Sequence, residues 1–358
     1  MDAVEVKIDK FRGGGVRSSN IELFRILSML MIVAHHYVVS SGISTILDEK
    51  SVMEIKDYFL LLFGWGGKTG INCFVLITGY FMCTSDITKK KFFKLLGERY
   101  FYSVVLWCLF FFTGYEAFSF KGFLKMLFPF FTVADNFTGC FLLFYLLIPF
   151  LNKLIHALTE KEHFWLLVWC ISVYVILPSF MLANITFNYI TWFCVIYIIA
   201  AFIRLYPRRW FNDNKRTGSL AVGFLLLSWF SVIGIAMMRR IIGIDLGMGY
   251  FFVSDANKML ALATGISAFL FFKNLRIGYS RIINTVAAST FGVLLIHADS
   301  DTMRRWLWKD ICNNVGEYQG GNIIIHAIVS VVVIYAVCTI IDMIRIRLIE
   351  KPLIKRIK

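Results

Sequence analysis

Apolar runs near the roughly 20 residues that cross a bilayer as helix recur along the whole chain, separated by short segments that carry most of its lysines and arginines. In hydrocarbon every backbone polar group must be satisfied within its own segment, so runs of this length are helices. Only 17% of the residues are charged, against about 25% in a soluble domain. A soluble globule is excluded. Ten candidate spans follow: 21–41, 58–83, 98–115, 138–155, 163–180, 187–205, 217–238, 255–272, 281–298 and 322–346. The expected fold is all-α, a polytopic membrane bundle of about ten transmembrane helices at residues 21–348, with tails at 1–20 and 349–358.

An even number of spans puts both termini on one side. Lysines and arginines on that side far outnumber those in the alternate loops, with clusters at Lys89-Lys90-Lys91, Arg208-Arg209 and Lys355-Arg356. The positive-inside rule makes both termini cytoplasmic. The net charge of +14 therefore reports topology, and no nucleic-acid partner is expected. Residues 1–20 are polar, broken by Gly13-Gly14-Gly15, and lack the features of a signal peptide. The chain ends soon after the tenth span, so no appended extracytoplasmic domain is expected. The eight cysteines lie mostly inside apolar runs without a CxxC pair, and no cluster has metal-ligand spacing, so no metal is expected.

Ionisable residues inside spans cost about 2.5 kcal/mol or more and ask for a reason. The first span holds several. It opens with Ser19-Asn20-Ile21-Glu22, the pattern of a capping box. Arg25 follows, and the eleven steps to His36 make three turns plus about 20°, placing both side chains on one face; His35 misses that face by about 80°. His36 lies roughly 16 Å from Arg25 along the helix, near the middle of a core about 30 Å thick. Arginine offers a permanent planar fork for phosphate oxygens, and histidine is the side chain best poised near neutral pH to move a proton. Alternatively Arg25 snorkels to the headgroups and His36 bonds a neighbouring helix.

The second span, FGWGGKTGINCFVLITGY at residues 63–80, adds a glycine-rich start, Lys68 and Asn72. Glycines there permit close backbone approach. Lys68 either snorkels or reaches a cavity beside His36, and Asn72 either joins helices or binds substrate. Glu22 caps the helix and pairs with Arg25, or takes a direct chemical part. His297, with Asp299 and Asp301 beyond it, forms either an interfacial polar cluster or an acceptor contact.

Together these segments resemble the membrane-bound acyltransferase 3 family, whose polysaccharide O-acetyltransferases have ten spans and use cytoplasmic acetyl-CoA. NIELFRILSMLMIVAHHY (20–37) is similar to the family's first helix, with Arg25 and His36 in its Arg-x10-His motif; GINCFVLITGYF, FYLLIPFLN (144–152) and STFGVLLIH (289–297) resemble later segments. The resemblance implies a multi-pass protein of the bacterial cytoplasmic membrane, with His36 catalytic and Arg25 organising the site or binding the donor. It implies a basic element at the third helix, where Lys94 and Arg99 stand as CoA-phosphate candidates in place of the family's Arg-x-x-Arg. The family's aromatic pair before the fourth span is altered to Asn136-Phe137.

The expected activity is acetyl transfer from acetyl-CoA to a hydroxyl of a cell-surface polysaccharide or lipid-linked glycan. Lys68, Asn72, His35, Glu22 and His297 are candidates for oxyanion or substrate contacts. Membrane lipids and glycan-assembly proteins are the expected partners. Two other readings stand beside it: a glycan or lipid transporter without acyl-transfer chemistry, and a membrane sensor or scaffold. Against the transporter, the spans hold few of the carboxylates that ion-coupled carriers use as proton relays.

Overall fold

The computed structural model describes residues 18–128, 137–183, 185, 187–242 and 249–356. Most of the N-terminal tail and Asn136 lie outside them, as do the last two residues. All regular structure among the described residues is helical. Among the described residues, eight helical segments are long and apolar enough to cross a membrane, and two shorter apolar helices, Tyr189–Leu205 and Met259–Asn274, accompany them. In chain order we label α1 (Ser19–Val39), α2 (Ile55–Gly64), α3 (Gly67–Met82), α4 (Lys89–Phe112), α5 (Phe137–Ala157), α6 (Glu160–Ile171), α7 (Tyr189–Leu205), α8 (Asn214–Ile242), α9 (Met259–Asn274), α10 (Arg281–Ala287), α11 (Thr290–Ala298) and α12 (Ile323–Arg345).

The apolar runs and the helices coincide in order, with differences that have local causes. The second run is broken at Trp65-Gly66 into α2 and α3, and the ninth at Ala288-Ser289 into α10 and α11. The third begins at Lys89 rather than 98, because the Thr88 hydroxyl accepts from the Lys91 amide and caps an earlier turn. The expected capping box at the start of α1 does not form. Ser18 is the N-cap residue and gives no side-chain cap. The Ser19 hydroxyl instead accepts from the Ser280 amide at 2.8 Å and donates to Asn284, while the Asn20 amide donates to the carbonyls of Phe272 and Lys273. Those side chains join α1 to α9 and α10, where the backbone ends of one helix need partners from another.

α1 stands at the centre, packed against α2, α3, α9, α10, α11 and α12. That position explains how a spanning helix tolerates Glu22, Arg25 and two histidines, since its polar side chains meet protein rather than lipid. The α2–α3 segment is the most enclosed, with 72% of its apolar window buried, whereas α8 has 22% and lies at the periphery. Outward-facing Phe230, Val332 and Ile340 are exposed, as expected where the solvent is hydrocarbon.

Two apolar cores result. One gathers Tyr37, Trp65, Tyr250, Leu295 and Trp308; the other gathers Phe144, Trp192, Phe193, Tyr197 and Phe269. Met31, Ile71 and Phe137 touch both, so they mark the seam between them.

Candidate active site

A cavity of about 180 Å³ opens at this seam, and Ile71 and Phe137 are among its walls. Its polar lining is His35 and His36 from α1, Lys68 from α3, Thr138 from α5, Tyr189 from α7, and Asp299 and Arg304 beyond α11. Residues scattered over 269 positions of sequence separation, from His35 to Arg304, thus share one small space.

Glycine makes the histidine side of this space possible. The His35 Nδ1–H donates to the Gly64 carbonyl at 2.6 Å. A Cβ at Gly67 would lie 2.2 Å from the His35 ring, and one at Gly70 would lie 2.7 Å from the Ser28 carbonyl. A Cβ atom does not make contacts that short, so α3 approaches α1 this closely only because it lacks side chains there. Gly67→Ala is therefore expected to push His35 out of place and to remove most of whatever activity this cavity supports, while Gly234→Ala, where a Cβ meets nothing within 4 Å, should leave activity near that of the parent. Assaying both variants at equal membrane content checks this, and an active Gly67→Ala protein would contradict the packing argument.

His36 sits in the last turn of α1. The His36 Nδ1 bonds the Ser40 hydroxyl at 3.1 Å. Ser40 itself is not part of the cavity lining, so it orients the ring and leaves Nε2 as the nitrogen available to the cavity.

His297 changes character. Sequence favoured an interfacial polar cluster there, yet the residue is fully buried, its ring centroid 5.5 Å from that of His36 in an edge-to-face arrangement. Its Nδ1–H donates to the Val293 carbonyl at 2.6 Å, and its Nε2 has no hydrogen-bond partner among the described residues. A carbonyl only accepts, so Nδ1 carries the proton and Nε2 presents a lone pair in the neutral ring.

Lys68 reaches the cavity. Its Nζ donates to the Tyr189 hydroxyl at 2.8 Å and lies 3.8 Å from Asp255. Asn72 does not. Its amide donates to the Ala256 carbonyl at 2.7 Å and accepts from the Trp192 indole at 3.0 Å, so it joins α3 to α7 and the segment before α9, and is removed from the oxyanion candidates.

Arg99 lies behind the opposite wall. Its guanidinium is paired with Asp299 at 2.7 Å and donates to Thr138, which in turn donates to Asp299 at 2.7 Å. This closed triangle ties α4, α5 and the end of α11 together. A guanidinium enclosed and neutralised in this way stands behind Asp299 and Thr138, which line the cavity, and does not itself face it. Lys94 is elsewhere, 2.7 Å from Glu350, in a cleft of about 340 Å³ that it lines with Lys89, Lys90 and Phe93. Arg25 pairs with Glu22 at 3.6 Å, and neither lines the histidine cavity.

Sequence reasoning missed Ser40, Thr138, Tyr189 and Arg304. Only Arg304 left a signal, as a basic residue in a loop on the side where the positive-inside rule expects few. The Arg304 side chain is held by Asp301 and by the Ala298 carbonyl.

Chemically, the cavity offers the His36 imidazole oriented from behind by Ser40, the His35 imidazole beside it, and an ammonium held by a phenol. Compared with known proteins, the chain matches a family model described as an acyltransferase domain over residues 18–343. No curated protein and no solved structure matches it.

Proposed function

The chain belongs to the acyltransferase 3 family, and from that premise we propose that it is an O-acetyltransferase of the bacterial cytoplasmic membrane, moving acetyl from acetyl-CoA to a hydroxyl of a cell-surface or lipid-linked glycan. The observation that carries this reading is His36, held through Nδ1 by Ser40 and lining the same cavity as Lys68.

At about 180 Å³ this cavity is smaller than the roughly 300–1,000 Å³ of sites that enclose drug-sized ligands. It suits the thioester end of the donor together with one acceptor hydroxyl. The nucleotide end of CoA belongs at the lysine-lined cleft by Lys94, where ammonium groups and the Phe93 ring match phosphates and a base. Arg25, near the same end of the bundle as the start of α1, remains a donor contact or an organiser of the site.

In the reaction, the acceptor hydroxyl gives its proton to His36 Nε2 as its oxygen attacks the thioester carbonyl. The tetrahedral oxyanion is stabilised by the Lys68 ammonium, already positioned by Tyr189. Collapse breaks the carbon–sulfur bond, and the CoA thiolate takes the proton back from the His36 imidazolium, leaving an ester and a free thiol. A transient acetyl-histidine uses the same residue in a second way.

The test is the O-acetyl content of purified surface polysaccharide, read by proton NMR before and after mild alkali, in cells with the intact gene and with a deletion. Loss of an alkali-labile acetyl signal in the deletion is the expected result, and the sugar resonances that shift identify the acceptor. An unchanged acetyl signal with less glycan at the surface would instead support transport without chemistry.

A further inference from the structure

A second polar cavity, of about 410 Å³, adjoins the first, and Asp299 and Arg304 line both. We infer that it is the saccharide-acceptor subsite, an inference that rests on the glycan-acetylating reading above and names where the sugar is held. The juxtaposition that carries it is the shared wall: Asp299 and Arg304 each face the larger cavity and the histidine site.

Burial grades across the larger cavity as a binding well requires. The Arg99 and Asp299 side chains at its base are each 5% exposed, whereas Asp301 at its rim is 96% exposed. A ligand can enter from the Asp301 side and press a hydroxyl toward the base.

The lining also selects the chemistry. Arg99, Lys125 and Arg304 face Glu116, Asp299 and Asp301, so positive and negative groups balance. Phosphate binding calls for an excess of cations, as in the other cleft, where Lys89, Lys90, Lys94 and Arg345 outnumber Glu98 and Glu350. A balanced set of donors and acceptors instead suits a neutral polyhydroxylated ligand, whose hydroxyls both give and accept hydrogen bonds. The hydroxyls of Ser103 and Thr302 add groups of the same kind, with Thr302 donating to Glu116 at 2.6 Å. Trp107 supplies an apolar ring against which the C–H face of a sugar can pack, and the ring is itself held by stacking on Phe111 at 5.2 Å.

Position along α4 supports the assignment. The lysine cleft lies at the Lys89 end of this helix and the balanced cavity at its Phe110 end, so the two substrate types are received at opposite ends of one element. A helix of 24 residues spans about 36 Å, comparable to the thickness of the membrane. Donor and acceptor thereby approach from opposite faces and meet at the histidines.

The experiment uses the full chain reconstituted in lipid nanodiscs. Two acceptor probes are compared, the oligosaccharide released from surface polysaccharide of deletion cells and the lipid extract that carries its lipid-linked precursor. Trp107→Ala and Glu116→Gln are expected to raise KM for the saccharide roughly tenfold, the effect of losing one aromatic or charged contact, with KM for acetyl-CoA within a factor of two or so. Trp107→Phe, which keeps a ring, should recover most of the affinity. If the soluble probe serves as well as the lipid-linked one, the site reads sugar alone; if only the lipid-linked probe shows the shift, it reads the sugar presented at the membrane. Saccharide KM unchanged in both variants overturns the assignment, as does an equal loss of affinity for both substrates. Absence of any acetyl transfer by the parent protein, with the oligosaccharide still binding in a Trp107-dependent way by saturation-transfer NMR, would overturn the glycan-acetylating reading and leave the saccharide site standing.

Discussion

Replacing His36 with alanine is expected to lower acyl transfer by about 10²–10⁴-fold, the usual contribution of a positioned general base, without loss of folded protein. The ring fills part of a cavity wall and is bonded only to Ser40 among its described hydrogen bonds, so its removal enlarges a polar space rather than leaving a buried charge. The assay follows transfer of labelled acetyl from acetyl-CoA by purified, reconstituted protein, with size-exclusion behaviour as the control for folding. Ser40→Ala should lie between parent and His36→Ala. It removes one hydrogen bond, worth about 0.5–1.5 kcal/mol, and so predicts a loss of up to roughly tenfold. His36→Ala with activity within a few-fold of the parent would remove the histidine from the mechanism.

The largest effect on stability is expected at Asp299. Its carboxylate pairs with Arg99 where both side chains are 5% exposed, and Thr138 bridges the two. Asp299→Ala leaves the guanidinium buried without its counter-charge, which typically costs about 3–5 kcal/mol. The thermal midpoint in detergent should fall by many degrees. Asp299→Asn keeps a hydrogen-bond acceptor and should fall less. The double change Arg99→Met with Asp299→Leu should regain much of the loss, because removing both charges also removes their desolvation penalty. Single and double variants with equal midpoints would show the pair to be no stronger than a surface ion pair, about 0–1 kcal/mol.

Much of this architecture was legible because lipid is a demanding solvent. A spanning segment must be helical and mostly apolar, so the apolar runs and the helical segments among the described residues agree in order, eight of them long enough to cross. The histidine at the end of α1 and the glycines of α3 were legible for the converse reason, being what a spanning helix ordinarily avoids or what close approach requires. Partnerships were not legible. Arg99 and Lys94 look alike as basic residues near the start of one helix, yet Arg99 turns inward to Asp299 and Lys94 to Glu350. Asn72 was chosen for its polarity, and that polarity serves Ala256 and Trp192. His297 looked interfacial because acidic residues follow it, but the end of α11 is folded against His36. One-dimensional patterns give depth and periodicity; they do not say which helix ends meet.

The central placement of α1 has a consequence for biosynthesis. Its polar groups are made first and find their partners last: Asn20 meets Phe272 and Ser19 meets Asn284, while Tyr37 bonds His326 at 2.8 Å across 289 residues of sequence. At about 5–20 residues per second of synthesis, these groups wait on the order of ten seconds to a minute in the membrane. Only the hairpin with α2 and α3 arrives early, bringing the Gly64 carbonyl to His35 within 29 residues. That glycine contact thus serves as the provisional shelter of the nascent first helix, and a ribosome that stalls before α12 is made leaves behind a chain whose first helix, with its buried polar groups, has never been enclosed.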